Sequence, residues 1–85
     1  MEVPRQCEGL HVRKIDGQMV VLDSDNERMH TLNPTAAFVF DSIDGRRTEK
    51  HISECVAEDF DVAHETAARD TRKTIVQFRQ LRLVI

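Results

Sequence analysis

The sequence has 85 residues, of which 32% are charged and 40% are hydrophobic, and its formal net charge is −3. A single domain over residues 1–85 accounts for this length, because a second hydrophobic core would not fit. The negative charge argues against a general nucleic-acid binder, which needs a basic surface. Apolar runs such as Met19 to Leu22 are too short to span a membrane, and the N-terminus lacks an apolar secretory signal. We therefore expect a cytoplasmic protein.

The composition also limits the size of the core. The sequence has no Trp or Tyr. Its aromatic residues are Phe38, Phe40, Phe60 and Phe78. Such a core leaves no room for an enclosed substrate cavity, and we expect stability at the low end of ~5–15 kcal/mol. Cys7 and Cys55 could form one disulfide, but no feature indicates an oxidising compartment, and we interpret Cys55 as a buried thiol.

The first third of the chain predicts a β-hairpin over residues 11–15 and 18–22. The dipeptide Asp16-Gly17 separates these two runs, and it favours a two-residue turn because both central residues of that turn need positive φ. This turn places Val12 opposite Val21. The pattern does not decide which face of the hairpin meets the core, since the second strand is apolar on both faces.

A third strand is predicted over residues 27–32, after a polar turn. His30 and Leu32 share one face of this strand, which we place inward, and Met29 and Thr31 share the other. We interpret His30 as a half-buried, hydrogen-bonded imidazole. If the strands follow in sequential order, either the first or the third is a sheet edge with unpaired backbone groups.

The rest of the chain predicts three helices. Asn33 as N-cap and proline at the first helical position begin a helix over residues 34–43, and Gly45 is suited to the left-handed conformation that ends it. Thr48 caps a second helix that runs to about Asp59, and a third helix runs over about residues 65–81.

The third helix has one apolar stripe and one basic side. At about 100° per residue, one set of positions forms the core stripe: Ala67, Thr71, Ile75 and Phe78. Residues 65–85 contain five basic and two acidic side chains, whereas residues 1–64 contain seven basic and thirteen acidic ones. This asymmetry indicates either a local contact with an anionic or acidic-peptide partner or a solvated helix face whose cations lie near the helix C-terminus.

Residues that carry catalysis or bind metals are scattered. The four histidines lie far apart, the three glycines form no phosphate-binding loop, and neither cysteine has a base nearby in the sequence. We therefore expect no catalytic site, no cofactor and no metal. Two binding functions fit the elements: an extended peptide that adds a strand to the sheet edge, or a winged helix-turn-helix with its third helix in a DNA groove.

The run MHTLNPTAA over residues 29–37, followed by DGRRT over 44–48 and then by Ile52, resembles the PqqD family. Members are small peptide chaperones, also called RiPP recognition elements, and the resemblance covers roughly residues 10–84. It implies an α+β, winged helix-turn-helix-like fold, with a three-stranded antiparallel sheet followed by three helices. It also implies neither catalysis nor DNA binding. Such proteins bind the leader of a ribosomally made precursor peptide and present it to a modifying enzyme, often a radical SAM enzyme; the namesake pathway makes pyrroloquinoline quinone.

In that family the leader pairs antiparallel with the third strand and lies between this strand and the last helix. The resemblance implies a backbone ladder from Arg28, Met29, His30 and Thr31. It implies side-chain contacts from Arg69, Arg72, Lys73 and Val76. Where the family usually has glycine after the last helix, this chain has Arg82. The expected partners are a leader peptide and a radical SAM or other peptide-modifying enzyme, without nucleic acid or membrane, and the expected state is a monomer or weak homodimer. The alternative remains a winged-helix DNA-binding regulator.

Overall fold

The computed structural model describes residues 3–16 and 18–85. Three strands precede three helices, as expected. The elements are β1 (Leu10–Ile15), β2 (Gln18–Asp23), β3 (Arg28–Leu32), α1 (Pro34–Ser42), α2 (Glu49–Asp59) and α3 (His64–Gln80). The α+β class and the element order are therefore confirmed, with boundaries that differ from expectation by at most one residue. None of the helices in the described ranges is long and apolar enough to cross a membrane.

The sheet is antiparallel, with β2 between β1 and β3. Val12 lies opposite Val21, as predicted, and Ile15 lies opposite Gln18. This register leaves a two-residue turn in which Asp16 has a φ of 50°; its neighbour Gly17 lies outside the described residues. β3 begins one residue later than expected, because Glu27 has a φ of 53° and belongs to the preceding turn.

The structure decides which face of the sheet meets the core. Met19 and Val21 of β2 are buried, whereas Val20 and Leu22 are only half-buried. Since paired residues share a face, the register places His30 on the core side as well. β1 is exposed over most of its length, on both faces.

Side chains at the helix ends satisfy backbone N–H groups, as the sequence predicted. Asn33 Oδ1 accepts a hydrogen bond from the N–H of Ala36 at 2.8 Å, and Thr48 Oγ1 accepts one from the N–H of His51 at 3.1 Å. These bonds fix the first turns of α1 and α2, where the helix itself supplies no acceptors.

The turn between α1 and α2 is organised by Asp44. Its Oδ1 accepts hydrogen bonds from the backbone N–H groups of Arg46 and Arg47, both at 2.9 Å. These two bonds, that of Arg47 first, lower the pKa of the Asp44 carboxyl below its usual 3.8. Gly45 has a φ of 79°, the left-handed conformation expected of it. The DGRRT motif therefore encodes a turn.

The end of α3 has the hydrogen bonds of a Schellman motif. The N–H of Leu83 donates to the carbonyl of Phe78 at 2.8 Å, and the N–H of Arg82 donates to that of Arg79 at 3.1 Å. This geometry needs a left-handed residue just after the helix. Arg82 fills that position with a φ of 60°, where glycine would be free of strain.

The core lies between the inner face of the sheet and the three helices. The rings of Phe40 and Phe78 meet edge to face at 5.5 Å, and both are almost fully buried. The predicted stripe of α3 is confirmed, because all four of its members are buried. Cys55, predicted to be buried, is half-buried, and both Cys55 and Cys7 are free thiols.

The first described residues pair with the end of the chain. Gln6 and Val84 form an antiparallel bridge, the N–H of Cys7 donates to the Leu83 carbonyl at 2.9 Å, and the N–H of Ile85 donates to the Arg5 carbonyl at 2.7 Å. We call this pairing of residues 5–7 with 83–85 the terminal ladder. The side chains of Leu83 and Val84 in this ladder are buried, so the ladder closes one side of the core.

Candidate functional site

The exposed edge of β3 borders a gap. β3 pairs with β2 on one side, and within the described chain no strand pairs with its other side. No Cα atom of β3 comes within 8 Å of a Cα atom of α3, although α1 packs against both elements. β3 and α3 therefore both border α1 without contacting each other, and we call the surface over α1 between them the β3–α3 groove.

A surface pocket of about 320 Å³ marks the end of this groove, next to the last residue of β3. It is lined by Asn33, Thr35, Ala36, Asp70, Lys73, Thr74 and Gln77. Lys73 is therefore the predicted α3 residue that the structure brings into this pocket. Its lining combines the start of α1 with one flank of α3, so it is suited to polar as well as apolar side chains of a bound molecule.

The predicted ladder residues differ in exposure. Met29 is 67% exposed and lies with Leu22 in a second pocket, of about 320 Å³, on the outer face of the sheet. Arg28 and Thr31 are exposed, and His30 is half-buried. A strand added to this edge would place alternate side chains toward the groove and toward the outer pocket.

His30 is half-buried as predicted, but its hydrogen bonding differs from our expectation. Its Nε2 is buried and has no hydrogen-bond partner within the part of the chain that the structure describes. The register places His30 opposite Val21, which offers no polar side chain. A buried ring nitrogen without a partner is a cost to folding.

The predicted α3 residues do not act alike. Lys73 forms no ion pair with any described residue, whereas Arg72 Nη1 lies 3.3 Å from Glu49 Oε2 and so faces α2. Arg69 Nε lies 3.9 Å from Asp70 Oδ1, and both side chains are largely exposed. Val76 is 43% exposed. The structure therefore brings Lys73 to the groove, leaves Arg69 and Val76 on the outer side of α3, and pairs Arg72 elsewhere.

Sequence reasoning missed three groove-lining residues of α3: Asp70, Thr74 and Gln77. Their helical positions lie between the buried stripe and the fully exposed side. The half-buried state of Thr74, one residue before the buried Ile75, reflects this intermediate position. A helical projection shows such flanks, but only the crossing of α1 and α3 shows which flank borders a groove.

β1 is also a sheet edge, but no Cα atom of the described helices lies within 8 Å of it. Its inner-face residue Val12 is 41% exposed and its outer-face residue Ile15 is 55% exposed. Arg13 and Lys14 on this strand are the kind of charged residues that discourage pairing at a free edge. A peptide added to β1 would bury little apolar surface, whereas one added to β3 would also contact α1 and α3.

Groups of three or more His, Cys, Asp or Glu side chains that could hold a metal ion do not occur within residues 3–16 and 18–85.

The described fold is similar to several solved structures. The lasso peptide synthetase B1 complexed with the leader peptide is 19% identical and matches with a TM-score of 0.87 over 99% of both chains. TbiB1 in complex with the TbiA(beta) leader peptide is 15% identical, with a TM-score of 0.85 over 94% of this chain and 93% of that one. At these identities the likeness concerns the fold.

A third structure is the PqqD truncation of Methylobacterium extorquens PqqCD, a stand-alone RiPP recognition element. It is 24% identical, with a TM-score of 0.80 over 98% of this chain and 88% of that one. Comparison with curated protein sequences finds no match. The sequence model of Coenzyme PQQ synthesis protein D (PqqD) matches residues 18–84, which is most of the chain and includes every element from β2 to α3. The chain therefore belongs to the PqqD family.

Proposed function

We propose that this protein is a RiPP recognition element that binds the leader of a ribosomally made precursor peptide by adding it as a strand to β3. The observation that carries the proposal is the free edge of β3 beside an open groove, in a member of the PqqD family. Two solved structures of the same fold are complexes with leader peptides. The protein acts without catalysis: it holds the leader while a separate enzyme modifies the rest of the precursor.

Backbone pairing supplies the orientation and much of the affinity. The edge of β3 offers N–H and C=O groups that an antiparallel peptide completes, and this mode of binding is largely independent of sequence. Sequence preference comes from the side chains on the two faces of the added strand. One face meets Ala36 of α1 and Thr74 of α3, and the other meets Met29.

Charge adds a smaller contribution. Lys73, at the groove, and Arg69, on the outer side of α3, attract acidic leader side chains, and each exposed ion pair is worth only about 0.2–1 kcal/mol. Val76, which lies on the outer side of α3 like Arg69, remains the predicted apolar contact on this helix. Arg72 contributes least, because it already pairs with Glu49. The ladder residues Arg28, Met29, His30 and Thr31 remain the predicted main-chain contacts.

The partner enzyme is the less specific part of the proposal. It is a radical SAM enzyme or another peptide-modifying enzyme, in keeping with a family described as Coenzyme PQQ synthesis protein D. We propose a cytoplasmic protein that is a monomer or a weak homodimer. The DNA-binding alternative is not favoured: the net charge is −3, and the matched folds include leader-peptide complexes.

Titration of the ¹⁵N-labelled protein with the leader of a precursor encoded beside its gene tests the proposal. The largest amide shifts are expected in β3 and along the groove side of α3, with new protection from hydrogen exchange at alternate residues of β3. Shifts confined to β1, or none at high peptide concentration, would refute strand addition to β3.

Lys73→Glu tests the contribution of charge in the same titration. It should weaken binding of an acidic leader by about two- to fivefold and reduce its salt dependence. Lys50→Glu is the matched control, because Lys50 is exposed on α2 and does not line the groove. Equal effects of the two substitutions would show that only net charge matters, and the groove assignment of Lys73 would be wrong.

A further inference from the structure

A third pocket lies on the opposite side of α1 from the β3–α3 groove. It has a volume of about 280 Å³. Its lining residues are Lys14, Gln18, Met19, Pro34, Ala37, Phe38, Asp41 and Phe60. The α1 residues of the groove, Thr35 and Ala36, project from the other face of that helix, since residues are about 100° apart around it. We call this the Phe60 pocket, and a leader in the groove leaves it free.

The wall of the Phe60 pocket contains an aromatic pair, of which Phe60 is exposed and Phe38 is half-buried. The rings of Phe38 and Phe60 meet edge to face at 5.3 Å, and Phe60 is 36% exposed as the residue that ends α2. Val62, two residues later, is 38% exposed. Single exposed apolar residues are ordinary, but here an aromatic pair borders a concave, mainly apolar surface. That combination is typical of a binding site.

The chain on both sides of Phe60 is acidic, at a helix end that is already negative. Glu58 and Asp59 complete α2, Asp61 follows Phe60, and the last turn of α2 has no basic residue. The carbonyl end of a helix has a partial negative charge, so carboxylates there are unfavourable for the isolated domain. A fourth carboxylate, Asp41, lines the pocket and pairs with Lys14 at 3.1 Å.

We propose that the Phe60 pocket is the docking site for a cationic, apolar-tipped segment of the partner enzyme that modifies the bound peptide. The inference deepens the proposed function and depends on it for the identity of the partner. Lys and Arg side chains of that segment would neutralise the carboxylates at the end of α2, and one large apolar side chain would enter the pocket and pack against the Phe38–Phe60 pair.

The dimensions favour a protein segment over a small molecule. Small-molecule sites have volumes of ~300–1,000 Å³ and enclose most of the ligand, whereas this pocket is at the lower end of that range and open to solvent. Asp41 lines the pocket, whereas Asp61 lies outside its lining, so a partner that contacts both must reach beyond the pocket. An amphipathic segment with cations on both sides of its apolar residue fits this arrangement.

The test uses two synthetic peptides, one built from Leu and Lys at amphipathic helical spacing and a twin in which every Lys is Glu. The Leu–Lys peptide should shift the amides of Ala37, Phe38 and Phe60 and those adjacent to them, and the Leu–Glu twin should not. Binding should persist when the leader already occupies the groove. Shifts of the Leu–Lys peptide confined to β3 and α3, equal binding of both peptides, or no binding would overturn the proposal. Self-association of the protein through the same residues, detected by sedimentation, would assign the pocket to a second copy and also overturn it.

The double variant Glu58→Lys/Asp59→Lys separates docking from folding. It should weaken binding of the Leu–Lys peptide by about fivefold or more, yet raise Tm by about 2–5 °C, because cations suit the end of a helix. Glu8→Lys/Glu54→Lys is the matched control with the same change in net charge at exposed positions outside the pocket lining. Equal loss in both variants would refute a localised site. Leader affinity of the Glu58→Lys/Asp59→Lys variant should be unchanged, so failure of the docking site and failure of the groove give different results.

Discussion

Replacement of Arg82 by glycine should stabilise the protein. Arg82 has a φ of 60° at the left-handed position of the Schellman motif that ends α3. That conformation is about 1–2 kcal/mol unfavourable for a residue with a β-carbon, whereas glycine loses about 0.5–1 kcal/mol of chain entropy on folding. The difference predicts a gain of about 0.5–1 kcal/mol in the free energy of unfolding.

For a domain of this size, that gain corresponds to a rise in Tm of about 2–8 °C. Thermal unfolding followed by far-UV circular dichroism measures it directly, and urea unfolding should show a higher midpoint at an unchanged m-value. The side chain of Arg82 is exposed, so its removal costs little packing.

Arg82→Ala is the control, because alanine removes the guanidinium but keeps the β-carbon. It should leave Tm close to that of the wild type. If alanine stabilised the protein as much as glycine, the gain would come from removal of a charge, and the conformational explanation would be wrong. If glycine gave no gain, Arg82 would not be strained at this position.

Three further predictions concern the core, the acid range and the second turn. Phe40→Ala should lower the free energy of unfolding by about 3–5 kcal/mol, because it empties a fully buried site and removes the edge-to-face contact with Phe78. Thermal unfolding followed by circular dichroism should then lose most of its cooperative transition, whereas Phe40→Leu should stay folded with a lower Tm. The pKa of Asp23 is lowered below its usual 3.8, chiefly by the hydrogen bond from the Asn26 side chain at 2.8 Å, so its contribution to stability is complete above 3.8 and is lost as the pH falls through the lower folded-state value. Asn26→Ala should therefore flatten the loss of stability in that acid range, as measured by urea midpoints at a series of pH values; an unchanged slope would contradict the assignment. Glu27→Gly, at a φ of 53°, should raise Tm by a few degrees, and this gain should add to that of Arg82→Gly because the two turns share no hydrogen bond; a clearly smaller combined gain would show that the turns are coupled.

Local signals in the sequence were sufficient for most of the fold. The hairpin register followed from Asp16-Gly17, and the starts of α1 and α2 followed from Asn33 and Thr48. These features depend on a few neighbouring residues, so their chemistry can be read without the tertiary structure. The buried stripe of α3 was equally accessible, because a helical period repeats over its whole length.

Features that join distant segments could not be predicted from the sequence. The terminal ladder pairs residues 5–7 with 83–85, and no local pattern in either segment indicates a partner. The groove lining depends on how α1 and α3 cross, so Thr74 and Gln77 were missed. Arg72 could not be distinguished from Lys73 by helical position, because its pairing with Glu49 depends on the packing of α2 against α3.

The terminal ladder also fixes where the two ends of the described chain lie. The carbonyl of Arg5 and the N–H of Ile85 are 2.7 Å apart, so a short linker of a few flexible residues would connect the ends without moving the core. A circular permutant with that linker, opened in the turn between β1 and β2, should keep the edge of β3 intact. It would also free both new termini at the far end of the hairpin, which makes the domain a practical cassette for insertion into the loop of another protein.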